Sequence, residues 1–300
     1  METNYHNPVL LKESIDGLNI VEGGVYVDAT FGGGGHSKAI LERLGSSGKL
    51  FAFDQDEEAL DNVIEDDRFT LINENFRFLK QFLKFYGIRE VDGILADFGV
   101  SSHQFDTADR GFSTRFEAVL DMRMSKRNSK SAYDIINAYS YDDLRKVLFN
   151  YGELRNADAI AAVLIENRDM GAIKTSSRLK EVLKKFLPPF KENKILAQIY
   201  QAIRIEVNEE LLVLEEFLNQ TIEVVKQGGR LSLISYHSLE DRLVKRFIQA
   251  GNFSGEIEKD FYGNTNLPFK KIGKLIVPTE REVKTNNRAR SAKLRIAERN

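Results

Sequence analysis

The chain has 300 residues, an apolar fraction of 42% and a formal net charge of −2, the composition of an ordinary globular protein with one large or two smaller domains. It has no cysteine and four histidines, which excludes disulfides, thiolate metal sites and a cysteine nucleophile and argues against a bound metal. No apolar run approaches the roughly 20 residues that span a bilayer, and no segment near the start resembles a signal peptide. We therefore expect a cytoplasmic protein without a membrane partner.

About the first hundred residues alternate between predicted strands and helices. The predicted strands are Val25–Asp28, Lys49–Phe53, Phe69–Ile72 and Val91–Ala96, and the predicted helices are Ser37–Leu44, Glu57–Ile64 and Phe76–Tyr86. Strands joined by helices form a parallel sheet, which binds ligands at the carboxyl ends of its strands. Asp28, Asp54 and Asp97 all fall at such ends.

The middle of the chain, about 107–207, shows helices and loops but no convincing strand. The predicted helices are Asp142–Phe149, Asn156–Glu166, Arg178–Phe186 and Leu196–Ile205, and Thr175 has the position of an N-cap for the third. This pattern predicts a helical domain inserted after the fourth strand of a sheet domain. We expect the sheet domain to comprise 1–106 and 208–300, and the helical domain to comprise 107–207.

Strand–helix alternation then resumes with a long amphipathic helix. Asn208 is its expected N-cap and Gly228-Gly229 its expected end. Ser238 and Asp241 have the spacing of a capping box, which predicts a second helix through Phe247. The remaining predicted strands are Arg230–Ser235, Lys274–Val277 and Ala292–Ile296.

The turn after the first strand reads Asp28-Ala-Thr-Phe-Gly-Gly-Gly-Gly-His-Ser37. Its glycines would let a ligand approach bare backbone, so the turn predicts a nucleotide-like cofactor. It lacks the Gly-Lys-Ser/Thr ending of a P-loop, and the third glycine position of an NAD-type turn would fall on Ser37 or Lys38. The remaining class binds S-adenosylmethionine through an acid followed by Gly-x-Gly and a second acid after the next strand, a pattern that fits Asp28, Gly32, Gly34 and Asp54.

Charge is unevenly distributed along the chain. From Lys270 onward, ten Lys/Arg oppose three Glu, whereas Asp54–Asp67 contains eight acidic residues and no basic one. A second basic cluster, in a predicted loop, consists of Arg123, Lys126, Arg127 and Lys130. Charge alone leaves open whether these basic stretches contact nucleic-acid phosphates or are solvated surface.

Several further segments, in chain order, resemble those of a known family: His6-Asn-Pro-Val-Leu-Leu11, Asp97–Gln104, Arg110-Gly-Phe-Ser113 with Leu120-Asp-Met-Arg-Met124, Gln201–Asn208, Ser235-Tyr-His-Ser-Leu-Glu-Asp-Arg242 and Arg288-Ala-Arg-Ser291. Together with the glycine turn they resemble the bacterial ribosomal RNA small subunit methyltransferase H family over nearly the whole chain. The resemblance implies an α/β fold, a class I S-adenosylmethionine-dependent methyltransferase with a Rossmann-like, mostly parallel sheet and an inserted all-helical substrate-recognition domain. It also implies N4-methylation of one cytidine, cytidine 1402 of 16S rRNA, near the P site of the small ribosomal subunit.

Carried over motif by motif, the resemblance implies cofactor contacts at Gly34, Gly35, His36, Asp54, Phe76, Asp97 and Gln104. From the residues alone, Phe76 could equally be ordinary core, and a cap of a helix or turn is the less favoured alternative for Asp97. We expect Asp97 to orient either the cytosine amine or the cofactor's amino group. No covalent intermediate is expected, because the chain has no cysteine to attack the ring.

The expected contacts to RNA phosphates are Arg123, Lys126, Arg127, Arg288, Arg290, Lys293 and Arg295. The last two would share one face of a short strand, which could also be a solvated edge strand protected by charge. Two other functions remain as alternatives. A DNA amino-methyltransferase usually has Pro-Pro after the acid of the fourth strand, whereas Phe98-Gly99 stands here, and a non-catalytic RNA-binding assembly factor would not need Asp54 and Asp97. The sequence leaves a monomer and a homodimer equally open.

Overall fold

A mostly parallel sheet organises the fold. The computed structural model describes residues 8–300, so His6 and Asn7 of the first family segment lie outside the described residues. The strands are β1 (Val25–Asp28), β2 (Lys49–Phe53), β3 (Phe69–Ile72), β4 (Val91–Asp97), β5 (Val225–Ser235), β6 (Phe269–Ile276) and β7 (Lys293–Arg299). Their order is β3-β2-β1-β4-β5-β7-β6. β7 runs antiparallel to β5 and β6, and the other neighbouring pairs of the described sheet are parallel. This sheet confirms the expected α/β class.

The α-helices pack around this sheet or form a separate helical unit. They are α1 (Leu11–Leu18), α2 (Gly35–Leu41), α3 (Leu79–Phe85), α4 (Ser102–Asp106), α5 (Ala132–Ala138), α6 (Tyr141–Asn150), α7 (Ala157–Met170), α8 (Ser176–Val182), α9 (Glu192–Asn208), α10 (Glu210–Val224), α11 (Ser238–Ala250) and α12 (Glu280–Thr285). Short 3₁₀ turns occur at Glu57–Asn62, Phe76–Phe78, Ala108–Arg110, Lys184–Phe186 and Asn287–Ser291. No helix among the residues that the structure describes is long and apolar enough to cross a membrane.

Both faces of the sheet are covered, as the alternation of side chains along its strands requires. Tyr26, Leu50 and Leu95 point to one face and pack with apolar residues of α1 and α2. Their neighbours Val27 and Phe51 point to the other face, where α3, α10 and α11 supply the partners. Buried strands flanked by helices on both faces leave the carboxyl ends of the strands as the place for a ligand.

The chain divides into two compact units. Over the described residues, one unit contains the chain up to Gly99 together with Leu211–Asn300, and the other contains Val100–Glu210. The second unit has its own apolar core, which runs from Phe112 to Val207. These boundaries lie a few residues from the ones expected at 106/107 and 207/208, and a substrate-recognition role for the helical unit stays a prediction.

Asn208 was expected to cap a long helix, and this expectation is wrong. Asn208 is the last residue of α9 and is buried. Its side-chain oxygen accepts the backbone N–H of Met124 at 2.8 Å, and its side-chain nitrogen donates to the carbonyl of Met122, also at 2.8 Å. Asn208 therefore fixes a loop that is distant in sequence instead of starting the next helix. Thr175, in contrast, is the N-cap of α8, as expected.

The other boundary expectations need smaller corrections. The capping box of α11 is formed by His237 and Glu240, one residue before the expected pair, because the side chain of Asp241 is engaged elsewhere. Strand β5 begins directly after α10, so Gly228-Gly229 lie within the strand instead of ending the helix. The expected helix over Glu57–Ile64 is a 3₁₀ turn that ends at Asn62.

Candidate functional site

The first acid of the site, Asp28, holds the glycine turn together from inside. Its side chain is fully buried at the end of β1. The Ser37 hydroxyl donates to Oδ2 at 2.7 Å, and the Thr30 backbone N–H donates to Oδ1 at 3.1 Å. Burial raises the pKa of Asp28 to about 6, although these two hydrogen bonds oppose the shift. Asp28 therefore positions the turn and is not itself open to a ligand.

The turn needs glycine for steric reasons. Gly34 is the N-cap of α2 with φ of 76°, a left-handed conformation that side chains disfavour. A Cβ there would lie 2.9 Å from the Phe31 ring, and a Cβ on Gly35 would lie 2.2 Å from Pro8. Only glycine fits at these two positions without moving the neighbouring side chains. The exposed part of the turn is therefore bare backbone.

His36 follows these glycines, but its side chain points into the protein. It is buried, and its Nε2 lies 3.1 Å from the carbonyl oxygen of Val9. Burial lowers the pKa of His36, while the charge of Asp97 opposes that shift. The imidazole therefore has a structural partner, and a ligand of the turn would meet the backbone of His36.

Asp54, directly after β2, links the second strand to the glycine turn. Its Oδ2 accepts the N–H of Gly32 at 2.7 Å, and its Oδ1 accepts the N–H of Asp56 at 2.9 Å. Desolvation raises the pKa of Asp54 to about 6, and these hydrogen bonds partly offset it. Each oxygen accepts one backbone hydrogen bond and keeps acceptor capacity for a hydroxyl group. The carboxylate is thus fixed in direction and still able to bind a ligand.

Phe76 begins the 3₁₀ turn that follows β3 and is half-buried. Its ring centroid lies 5.1 Å from that of Phe217 and 6.1 Å from that of Phe98. Both pairs have the tilted or edge-on geometry typical of aromatic packing. Phe76 is therefore partly core, as one of the two sequence interpretations expected, and the rest of its surface is open.

Asp97, the last residue of β4, is held by two hydroxyl groups. The Tyr236 hydroxyl donates to Asp97 Oδ1 at 2.7 Å, and the Asp97 backbone N–H donates to Thr30 Oγ1 at 2.6 Å. Desolvation raises the pKa of Asp97 to about 6, although the charge of His36 and the Tyr236 hydrogen bond oppose this. A Cβ on the nearby Gly99 would contact only Tyr236, at 3.8 Å, so the backbone after Asp97 has open space.

Sequence reasoning missed Tyr236 and Thr30 as residues of this site. The signal for Tyr236 was its place in the segment Ser235-Tyr-His-Ser, directly after β5, the strand beside β4. Parallel neighbouring strands end at the same edge, so a polar residue that directly follows β5 lies near the end of β4. For Thr30, a residue after β1 on the other side of β4, the same argument applies.

Gln104 belongs to the second compact unit, where it helps to begin a helix. It is buried, and its Oε1 accepts the backbone N–H of Ser101 at 3.1 Å. The backbone N–H of Gln104 donates to the Ser101 hydroxyl at 3.2 Å, which completes a capping box for α4. This structural role accounts for the glutamine within its own unit, and its expected cofactor contact stays a prediction.

The expected RNA-contacting residues differ in their surroundings. Lys293 and Arg295 do share one face of β7, but both pair with Asp241, at 3.1 and 2.8 Å. In the second unit, Arg123 pairs with Asp121 at 2.8 Å. The exposed members of the set are Lys126, Arg127 and Arg290, while Arg288 is half-buried. Contact of any of these residues with RNA stays a prediction.

The comparisons with known proteins agree over nearly the full length of the chain. The model of the MraW methylase family matches residues 3–300. The chain belongs to the MraW methylase family. A relative from Flavobacterium johnsoniae, a ribosomal RNA small subunit methyltransferase H, is 67% identical over 294 residues, which cover 98% of this chain and 97% of the relative. A relative of the same name from Cytophaga hutchinsonii is 57% identical over 297 residues, with coverage of 98% and 99%.

Membership in the MraW methylase family identifies the chemistry of the site. The chain is an S-adenosylmethionine-dependent methyltransferase with a class I, Rossmann-like fold. This confirms the family resemblance, the fold and the cofactor inferred from the glycine turn and the acids after the strands.

Proposed function

We propose that this enzyme methylates the exocyclic N4 of cytidine 1402 in 16S rRNA, near the P site of the small ribosomal subunit. The observation that carries the proposal is the 67% identity, over 98% of the chain, to a ribosomal RNA small subunit methyltransferase H. The site supports it with a carboxylate, Asp97, at the end of β4 that can accept a hydrogen bond from an amine. Because ribosomes assemble in the bacterial cytoplasm, we expect the enzyme to act there.

The residues of the first unit fit S-adenosylmethionine. Asp54 has a fixed carboxylate with remaining acceptor capacity, which suits the two ribose hydroxyls. The bare backbone of Gly34, Gly35 and His36 suits the charged methionine end, because the two glycines have no side chain to keep a ligand from the backbone. The open surface of Phe76 suits the adenine ring. Contact of Gln104 with the cofactor stays a prediction from the family resemblance.

The cofactor supplies a methyl group on a positively charged sulfur, which is already activated for transfer. The N4 lone pair of cytosine is delocalised into the ring, so the protein must align the amine and exclude water. Asp97 accepts a hydrogen bond from the amine through the carboxylate oxygen that Tyr236 does not hold. The proton leaves the nitrogen after that atom becomes cationic, so no strong base is needed beforehand. The cytidine must also leave its base stack to reach Asp97.

The basic residues are proposed to hold the RNA backbone. Lys126, Arg127 and Arg290 are exposed, which favours them over Lys293 and Arg295, whose charge Asp241 partly compensates. Phosphate contacts make binding weaker as salt concentration rises. We therefore expect a steep salt dependence of RNA binding, whereas a flat response would contradict RNA contact by these residues.

The test is methyl transfer from labelled S-adenosylmethionine to three acceptors: unmethylated small ribosomal subunits, naked 16S rRNA and DNA. Label at the N4 of one cytidine in either RNA substrate would support the proposal. Label in DNA alone would favour a DNA amino-methyltransferase, and cofactor binding without transfer to any acceptor would favour a non-catalytic assembly factor. Asp97→Ala separates the two roles of Asp97, because retained cofactor binding with lost activity assigns Asp97 to the substrate.

A further inference from the structure

A groove between α11 and the edge strand β6 carries an excess of positive charge that the site above does not use. Its lining contains four cationic residues and no acidic one: Lys245, Lys271, Lys274 and Arg295. We call it the basic groove. Its apolar lining includes Ile248 of α11, which is 3% exposed, and Leu275 of β6, which is 38% exposed. Every one of these residues belongs to the first compact unit.

The three lysines of the basic groove are available for a ligand. Among residues 8–300, Lys245, Lys271 and Lys274 have neither a hydrogen bond nor an ion pair through their side chains. Lys270, the neighbouring lysine of the same strand, pairs with Glu298 at 2.8 Å. Arg295 pairs with Asp241, which is not part of the groove lining. Lys270 and Arg295 are therefore paired with carboxylates of the protein, whereas the three lysines of the groove are not.

A bulge in β6 brings two of these lysines into the groove. Lys271 and Lys274 are three positions apart, so a regular strand would point them to opposite faces. Between Ile272 and Ile276, however, β6 advances four residues while β7 advances two, from Ile296 to Leu294. Gly273 lies in this bulge with φ of 66°. The bulge changes the alternation, so both lysines line the basic groove.

Protection of an edge strand from pairing does not account for this arrangement. Lysines on an edge strand discourage association with other strands, which would explain Lys271 and Lys274. Protection of the edge strand would not explain Lys245, which lies on α11 and lines the same groove. Cations that converge from a helix and a strand beside an apolar lining match a ligand that combines negative charge with an apolar surface.

We propose that the basic groove binds the sugar–phosphate backbone of the rRNA substrate at a position separate from the methylated cytidine. Phosphates would contact the three lysines, and the apolar lining would take the face of a ribose or an unstacked base. This inference rests on the proposed rRNA substrate and adds a second contact region to it. Of the four cations that line the groove, only Arg295 was among the residues expected from sequence to contact RNA.

The first test compares two double variants with the same change in charge. Lys271→Gln with Lys274→Gln removes two groove cations, and Lys49→Gln with Lys84→Gln removes two exposed lysines elsewhere in the first unit. Binding of small ribosomal subunits is measured against salt concentration. Each lost phosphate contact reduces the slope of log K against log salt by about 1, so we expect a reduction of about 2 for the groove variant and no change for the control.

Equal slopes for the groove variant and the wild type would overturn the inference while leaving the proposed function intact. A wild-type enzyme that neither binds nor methylates the subunits would instead overturn the proposed function, and this inference with it. Unchanged melting temperature and cofactor affinity of both double variants verify that the groove substitutions act on RNA binding alone.

The second test identifies the occupant and uses the absence of cysteine from the chain. Lys274→Cys is labelled with a benzophenone maleimide and irradiated with unmethylated small subunits, and Lys84→Cys serves as the control. We expect the Lys274→Cys adduct to contain 16S rRNA and the control to give none. An adduct with a ribosomal protein instead of rRNA would overturn the inference.

Discussion

The carboxylates of Asp28, Asp54 and Asp97 illustrate how surroundings assign different roles to the same side chain. Desolvation raises the pKa of each to about 6. Asp28 is fully buried and bound by Ser37, so it serves the turn. Asp54 is fixed by two backbone N–H groups and keeps acceptor capacity. Asp97 is bound by one tyrosine hydroxyl, which leaves its other oxygen for the substrate amine.

The raised pKa of Asp97 predicts a pH-dependent activity. Below about 6 the folded protein holds the proton and the carboxyl accepts hydrogen bonds poorly, so turnover should rise as pH increases through about 6 and then level off. Initial rates at saturating cofactor and RNA, from pH 5 to 8, measure this. The Asp97→Asn variant should lose this rise together with most activity. A wild-type rate that is constant from pH 5 to 7 would contradict the assignment.

The same carboxyl gives a prediction about stability. The pKa of Asp97 in the folded state, about 6, exceeds the ordinary value of 3.8, so the folded protein binds the proton more tightly than the unfolded chain. The contribution of Asp97 to the free energy of unfolding should therefore decrease as pH rises from about 4 to about 6. Urea unfolding at several pH values should show a smaller decrease for Asp97→Asn than for the wild type, and equal decreases would contradict the raised pKa.

Tyr236 is expected to act as a positioning residue for Asp97. Tyr236→Phe removes a hydrogen bond that lowers the pKa of Asp97, so the midpoint of the pH–rate profile should move upward by about one unit. Turnover at pH 7 should decrease, while the KM for the cofactor changes little. Tyr139→Phe is a matched control, because the Tyr139 hydroxyl also donates to a carboxylate, Glu206, at 2.7 Å. An unshifted midpoint in Tyr236→Phe would leave Tyr236 with a packing role only.

At the scale of elements, local patterns predicted the sheet well and the helix caps poorly. The bounds of β1, β2 and β3 agree with the expected ones, because short apolar runs between turn signals suffice to locate a buried strand. Caps depend on tertiary partners as well. Asn208 has a cap-forming side chain, yet it binds the backbone of Met122 and Met124, more than 80 residues away. Periodicity cannot reveal such a partner.

The glycine turn between β1 and α2 gives a prediction at this scale. Gly34→Ala places a Cβ at φ of 76° and 2.9 Å from Phe31, so it should destabilise the protein by about 1–2 kcal/mol or more and greatly weaken cofactor binding. Gly87→Ala is the matched control, because Gly87 has φ of 73° but no atom within 4 Å of its Cβ. Urea unfolding and calorimetric cofactor titration measure both effects. Normal cofactor affinity in Gly34→Ala would place the cofactor away from this turn.

For the whole molecule, the sequence predicted the chemistry more completely than the substrate. Spacing of glycines and acids indicated the cofactor, because these residues follow consecutive strands and meet at one edge of the sheet. The RNA surface has no such local rule. Lys293 and Arg295 were expected to contact phosphates, but Asp241, some 50 residues earlier, binds both. The basic groove depends on a bulge at Gly273, which strand alternation alone does not show.

The helical unit gives the prediction that belongs to the whole molecule. Its buried core, from Phe112 to Val207, consists only of residues from this unit. The buried polar side chain of Asn208 also pairs within the unit, through its hydrogen bonds to Met122 and Met124. We therefore expect residues 100–210, expressed alone, to fold into a helical monomer or oligomer that unfolds cooperatively on heating, because a unit of this size with its own core can fold independently. Circular dichroism and calorimetry measure this.

Asn208→Ala in the same fragment should lower its melting temperature by several degrees, since it leaves buried backbone groups unpaired. A fragment with little helix and no cooperative transition would show that the helical unit depends on the rest of the chain.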